Sequence, residues 1–270
     1  MDWRDEGILL HAREHGESAC IIDVLTMAHG RHAGLVHGGK SARLGASLQP
    51  GAQLSLEWRA RIEDHLGTFK PELIKSRAGL LMENRAALAA FNSMAALLIT
   101  YAPEREPDFE LYEASSDLVE DLIQRPWDWP GTYARWEATL LTSLGFGLDL
   151  ARCAATGKRH DLAFVSPRTG RAVSREAGGP FADRLLPLAP FLCGEGIVSM
   201  AGVRSALRMT GWFLRNKVNT AVGHDMPLPD ARARLLRAFD RLELPPREAN
   251  SPMAAVEPWH RRLGLIAGVA

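Results

Sequence analysis

Gly30-Arg31-His32-Ala33-Gly34-Leu35-Val36-His37-Gly38-Gly39-Lys40-Ser41-Ala42-Arg43 is the stretch whose reading separates two folds. Its segment Gly34–Ser41 spells G-x-x-x-x-G-K-[ST], the phosphate-binding loop of P-loop nucleotide hydrolases. That loop needs a buried parallel strand running into Gly34 and a helix opening near Lys40, whose N-terminal amides cradle the phosphates. The neighbours supply neither. Gly30-Arg31-His32-Ala33 is not a buried strand, Leu35-Val36 lies inside the supposed loop, and Gly45 and Pro50 leave room for barely two helical turns. The other reading is a basic strand running into a glycine hinge, which suits a nucleic-acid surface.

The flanking sequence favours the strand. Gly7–Arg13 and Ala19–Thr26 are β-rich apolar runs joined across His15-Gly16-Glu17, and Arg31–His37 makes a third. Gln53–Arg61 alternates strictly, with Leu54, Leu56, Trp58 and Ala60 inward and Ser55, Glu57, Arg59 and Arg61 outward. Pro50-Gly51 turns the chain into it, and a fifth strand is expected near Leu66–Ile74. Five short antiparallel strands in about 70 residues suit a small barrel such as an OB-fold.

Beyond the barrel the apolar spacing becomes helical. Helices are expected over Ala78–Tyr101, Asp108–Gln124 and Thr132–Leu144, then over Ser199–Val218 and Asp230–Leu242, the last capped by Asp230 after Pro229. Between them, 149–180 is broken by Gly157, Pro167, Gly170, Gly178, Gly179 and Pro180. The expected class is α+β: a five-stranded OB-fold barrel (1–77), a helical bundle (78–148), a degenerate zinc-ribbon-like insertion (149–180), helices completing the bundle (181–245) and a tail (246–270) that frays.

The formal net charge is zero, but it is segregated. Residues 81–150 hold four basic and twelve acidic side chains; residues 151–270 hold eighteen basic and ten acidic. Different segments therefore face different partners. Met1–Glu6 is acidic and has no apolar run behind it, which argues against a signal peptide, and no run approaches the roughly 20 residues of a membrane span. Three widely spaced cysteines, Cys20, Cys153 and Cys193, form no disulfide framework, so a reducing cytoplasm is expected.

The candidate DNA-binding residues are the basic positions of the barrel: Arg31, His37, Lys40, Arg43, Arg59 and Arg61. With Trp58 turned inward, binding there should be electrostatic, salt-sensitive and poorly selective. His29, His32 and His37 have no carboxylate or thiol beside them at ligand spacing, and a strand puts His32 and His37 on opposite faces, so no metal is expected. Cys153…Thr156 and Ser174…Ala177 keep the paired C-x-x-C spacing of a zinc ribbon, but a single thiolate cannot hold a structural zinc with Thr, Ser and Ala. Arg204, Arg208 and Arg215 recur at i, i+4 and i+11 on one helix face, as a partner contact or second DNA contact.

These residues fall in the order of a known family. Trp3…Asp5-Glu6-Gly7-Ile8…Gly16-Glu17-Ser18…Thr26…His29-Gly30-Arg31…Gly34…Gly38-Gly39-Lys40-Ser41 resembles the bacterial RecO family of DNA repair proteins, as do Leu48-Gln49-Pro50-Gly51, Glu72-Leu73, the interrupted ribbon and Leu228-Pro229-Asp230-Ala231-Arg232. The likeness implies an N-terminal OB-fold, a helical domain and a ribbon insertion. It also implies a non-enzymatic mediator that binds single- and double-stranded DNA and anneals complementary strands. Such a protein works with RecR and helps load RecA onto DNA coated by single-stranded DNA-binding protein (SSB). It would be cytoplasmic and nucleoid-associated, touch RecA filaments only indirectly and avoid membranes. The family's DNA-binding role is carried to Arg31, Lys40, Arg43, Arg59 and Arg61. Where most ribbon cysteines are missing the chain departs from the family, and neither zinc nor another cofactor is expected. The rival readings are a nucleotide hydrolase using Gly34–Ser41 and a protein-only adaptor that never touches DNA.

Overall fold

Strand β1, Asp2–His15, serves two partners: residues 2–8 pair with β4 (Gln53–Arg59) and residues 7–15 with β2 (Ala19–Thr26). The computed structural model describes residues 1–62, 65–125, 127–221, 223 and 227–242. The expected first strand began only at Gly7. The acidic start is extended because β4 pairs with it, Trp3 against Trp58 and Asp5 against Leu56, a reason invisible in the local sequence.

Strand β3, Gly30–Val36, runs antiparallel to β2, and β5, Thr68–Lys75, runs antiparallel to β4. The parallel pair Leu35–Thr68 joins β3 to β5 and closes the barrel in the order β1-β2-β3-β5-β4. This is the five-stranded Greek-key arrangement expected of an OB-fold. Its core holds Leu9, Ile22, Val24, Val36, Leu54, Leu56, Trp58 and Phe69. Gly34 faces inward on β3, and the position must be glycine because a Cβ there would stand 2.4 Å from the Phe69 ring. The short helix α1, Ala42–Ser47, follows β3 and delivers Leu44 and Leu48 to the same core.

Among the described residues the rest of the chain is mostly helical, and the class is α+β. The expected single helix Ala78–Tyr101 is two: α2, Ala78–Glu83, and α3, Arg85–Tyr101. Asn84 makes the break, leaving helical geometry so that its Oδ1 accepts from the Ala86 and Ala87 amides at 3.0 and 3.1 Å. Helix α4, Phe109–Gln124, opens on Asp108, whose carboxylate accepts from Leu111 N at 2.9 Å. Buried Arg77 ties barrel to α4, donating to the Gly51 carbonyl, Gln53 Oε1 and Glu120. Burial pushes the Glu120 carboxyl up, but the hydrogen bonds from Lys75 and Arg77 outweigh it and hold the group low.

The chain divides into two compact units, Met1–Pro126 with Pro229–Ala238, and Trp127–Leu228 with the chain from Phe239 on. In the second unit α5, Trp129–Ser143, starts three residues before its expected position, with Pro130 in the first turn, where its missing N–H costs nothing. Helix α5 buries Trp129, Tyr133, Trp136 and Leu140. Buried Glu137 accepts from the Tyr133 hydroxyl and from Thr210 on α7, Met200–Phe213. The segment expected as a degenerate ribbon-like insertion holds a small antiparallel sheet of β6 (Leu162–Val165), β7 (Ala172–Ser174) and, just beyond it, β8 (Leu186–Pro187), with β6 central, and β7 runs into α6, Arg175–Gly178. Helix α7 continues through a π turn, Leu214–Val218, into α8, Asn219–Ala221. Helix α9, Asp230–Phe239, starts where expected and ends three residues before the expected Leu242. The tail 246–270 lies outside the described residues.

Candidate nucleic-acid interface

The Gly38–Ser41 loop does follow a strand and precede a helix, yet two of its amides, those of Lys40 and Ser41, are already used. Lys40 N donates to the Ser18 carbonyl at 3.1 Å, and Ser41 N to the Gly38 carbonyl at 2.9 Å. Ser41 Oγ caps α1 by accepting from Leu44 N. Gly38 holds φ +67°, and a Cβ on Gly39 would lie 2.2 Å from Cys20 Sγ, so the two glycines serve a tight turn packed on the barrel core. A phosphate cradle needs those amides free and a helix longer than six residues behind them. The nucleotide-hydrolase reading of Gly34–Ser41 fails on that count.

The basic positions of the barrel divide into three kinds. Arg31 is an internal strut: its Nε donates to the Ala102 carbonyl at 2.9 Å, and its guanidinium lies 3.6 Å from Asp23 and 3.8 Å from Glu104. Burial raises the Asp23 pKa, and the Arg31 charge opposes that rise. Lys40 and Arg59 carry surface ion pairs, Lys40 with Glu14 at 2.7 Å and Arg59 with Glu57. His37, Arg43 and Arg61 are exposed and make no ion pair among the described residues. Arg31 thus does not join the surface predicted for it, because partners some seventy positions away claim it.

Arg59 and Arg61 both line an open groove of about 930 Å³ along the seam where β3 and β5 close the barrel, with Met1, Asp2, Leu35 and Thr68. Leu35 N donates to the Gly67 carbonyl at 3.1 Å, so two of the lining residues are joined across the seam. Two residues at this site have no signal in the sequence. Arg105, held at φ +64°, donates to the His65 carbonyl at 2.7 Å and sits 5.8 Å above the Trp58 ring, fixing the described part of the β4–β5 connection. Trp3 stacks on His29 at 4.0 Å and meets His32, Trp58 and Phe69 edge-on or offset, forming an aromatic cluster behind the seam. Its alternation with acidic neighbours hid it. Within the cluster burial lowers the His32 pKa, against the opposing bond from Nδ1 to the Ala33 carbonyl at 2.9 Å. The histidines divide as the strand pattern predicts, His32 inside and His37 exposed.

The ribbon positions meet around sulfur. Ser174 N donates to Cys153 Sγ at 3.2 Å, Thr156 also hydrogen-bonds the thiol, and the Ala177 amide donates to Ser174 Oγ at 3.4 Å. Burial pushes the Cys153 thiol up, but the hydroxyls and amides of Ser174 and Thr156 together outweigh it and bring its pKa down to about 6. No group of three or more metal-ligating side chains occurs among the described residues. On α7, Arg204 donates to the Phe239 carbonyl at 2.6 Å, filling an acceptor at the end of α9, while Arg208 and Arg215 remain exposed.

Residues 1–77 match the model of the N-terminal domain of recombination protein O, and residues 82–226 match that of its C-terminal domain. This chain belongs to the RecO family. It is 54% identical over 241 residues to the DNA repair protein RecO of Ruegeria sp. (strain TM1040), covering 89% of this chain and 99% of that protein. The RecO proteins of Cereibacter sphaeroides (strain ATCC 17029) and Roseobacter denitrificans are 52% and 50% identical over the same span and share. The family places the chain in DNA repair and recombination, in agreement with the resemblance carried by its N-terminal residues. No helix among the described residues is long and apolar enough to cross a membrane.

Proposed function

We propose that this RecO-family chain is a non-enzymatic recombination mediator that binds single- and double-stranded DNA, anneals complementary strands and helps load RecA onto SSB-coated DNA. The observation that carries the reading is the groove along the barrel seam, where Arg59 and Arg61 lie beside Leu35 and Thr68. A barrel of this topology binds single strands by a cationic groove that tracks phosphates. His37, exposed just after β3, Arg43, exposed on α1, and Lys40, whose partner Glu14 is itself 82% exposed, extend the cationic surface. Charge on both sides of two approaching strands lowers their mutual repulsion, which is what annealing requires.

The acidic tail of SSB docks on the basic C-terminal third, at positions other than the Arg208–Arg215 face, and RecR is the partner that completes the complex. RecA is reached only through the DNA, in the cytoplasm at the nucleoid. Fluorescence anisotropy of labelled single strands and duplexes over a salt series, with and without ATP, tests the core of this reading. Binding that falls steeply with salt and ignores ATP is the expected result. No binding at low salt leaves a protein-only adaptor and rejects the proposal.

A further inference from the structure

The exposed stripe of α7 carries an aromatic between two arginines. Val203, Ala206, Leu207, Thr210 and Phe213 are buried, Arg208 and Arg215 are exposed, and Trp212 is half-buried. Positions 208, 212 and 215 are spaced i, i+4 and i+7 and so share one helix face, with Arg208 and Arg215 about 10 Å apart along the axis. Arg215 lies in the π turn Leu214–Val218, a departure from α geometry that often marks a functional position. The indole packs edge-on against buried Phe213 at 5.2 Å and 82°, and its helix turn is tied by Asn216 Nδ2, which donates to the Trp212 main-chain carbonyl at 2.8 Å. Neither Arg208 nor Arg215 forms an ion pair among the described residues, whereas Arg204, one turn earlier, is engaged by Phe239 and Asp240. Trp58, Trp129 and Trp136 are core residues, so Trp212 differs from them in being both accessible and flanked by cations.

We infer that Arg208, Trp212 and Arg215 form a second, single-strand-selective contact, in which the indole stacks an unpaired nucleobase and the guanidiniums hold neighbouring phosphates. The inference rests on the proposed DNA binding and adds a site outside the barrel with its own substrate preference. A duplex keeps its bases paired and stacked and offers the indole nothing, whereas a single strand offers a π face at every nucleotide. Stacking is also nearly independent of salt, while each phosphate contact adds about one unit to the salt slope.

The test is anisotropy on the full chain with labelled oligothymidylate and a blunt duplex of equal length, using Trp212→Ala, Trp212→Phe and Arg208→Ala/Arg215→Ala over a salt series. Trp212→Ala should weaken single-strand binding about tenfold at every salt concentration and leave duplex binding unchanged. Trp212→Phe should recover most of the loss, and the double arginine variant should lower the single-strand salt slope by about two units. An equal loss on both substrates, or none with Trp212→Ala, overturns the inference while leaving barrel binding standing. Loss of binding to an acidic peptide with single-strand affinity intact also overturns it, assigning the face to a protein. If the unsubstituted chain binds neither DNA, the proposed function falls first.

Discussion

Lys40 reaches back to Gly16, donating from Nζ to its carbonyl at 3.0 Å, and the same ammonium meets the Glu14 carboxylate at 2.7 Å. The side chain whose spelling suggests a nucleotide phosphate instead bridges the β1–β2 turn to the loop after β3. Glu14 is 82% exposed, so the pair contributes at most about 1 kcal/mol and yields readily to a phosphate. Lys40→Ala should therefore shift the urea midpoint little while lowering the salt slope of DNA binding by about one unit. Calorimetric titration with ATP should give no heat of binding for either protein. A saturable ATP isotherm abolished by Lys40→Ala would defeat this account.

Arg31 should behave in the opposite way. Its guanidinium is 14% exposed and bonded to the Ala102 carbonyl between Asp23 and Glu104, so Arg31→Ala strands an acceptor and the buried Asp23 carboxylate. Such losses typically cost about 2 kcal/mol. Denaturation should show that loss, and the DNA salt slope should stay unchanged; for Arg61→Ala the two readouts should exchange. A lowered slope for Arg31→Ala with unaltered stability would return the residue to the binding surface.

The contrast between Arg31 and Arg61 marks how far the sequence is legible. Strict alternation placed Leu54, Leu56 and Trp58 inside and Arg59 outside, because a two-residue period is a local property that burial preserves. Pairing over long separations leaves no local trace. The extension of β1 to Asp2 depends on β4, and the capture of Arg31 depends on residues 102–104. The break at Asn84 was readable in principle, since Asn favours a cap over a helix interior, but continuous apolar spacing on both sides masked it. At the interface, charge was visible and engagement was not: neither the pairing of Arg31 nor the support given by Arg105 to the groove follows from composition.

His32 gives the barrel a pH dependence whose sign is fixed by burial. Its pKa is lowered in the folded chain, so the unfolded chain takes up a proton first as the pH falls below about 6.5. Above that pH both states are neutral at this position and nothing is lost. Below it stability declines, by at most about 1.4 kcal/mol per pH unit from this group, until the folded state also protonates. Urea midpoints at pH 7.5 and 5.5 should differ more for the wild-type chain than for His32→Phe, which keeps an aromatic ring against Trp3, Trp58 and Phe69. Equal differences in the two proteins would show that His32 is not the titrating group.

Cys153 carries the last prediction, because its partners make it unlike the other two thiols. Burial raises Cys20, and burial with Glu195 nearby pushes Cys193 up to about 12, while Ser174 and Thr156 overcome burial to bring Cys153 to about 6. Thiolate absorbance at 240 nm should thus reveal a single group ionising near pH 6, absent in Cys153→Ala. The folded pKa lies below the unfolded value, so the stabilisation is complete above the unfolded pKa, near 9, and is lost as the pH falls through about 6. The thiolate accepts hydrogen bonds from Ser174 and Thr156, positions that in a zinc ribbon would be ligands, and on this account it would hold the segment together without a metal. Chelators should leave the melting temperature unchanged, whereas Cys153→Ala should lower it more at pH 8.5 than at pH 6. A melting temperature that drops on chelation, or a variant whose deficit is the same at both pH values, would mean that the segment is held together in another way.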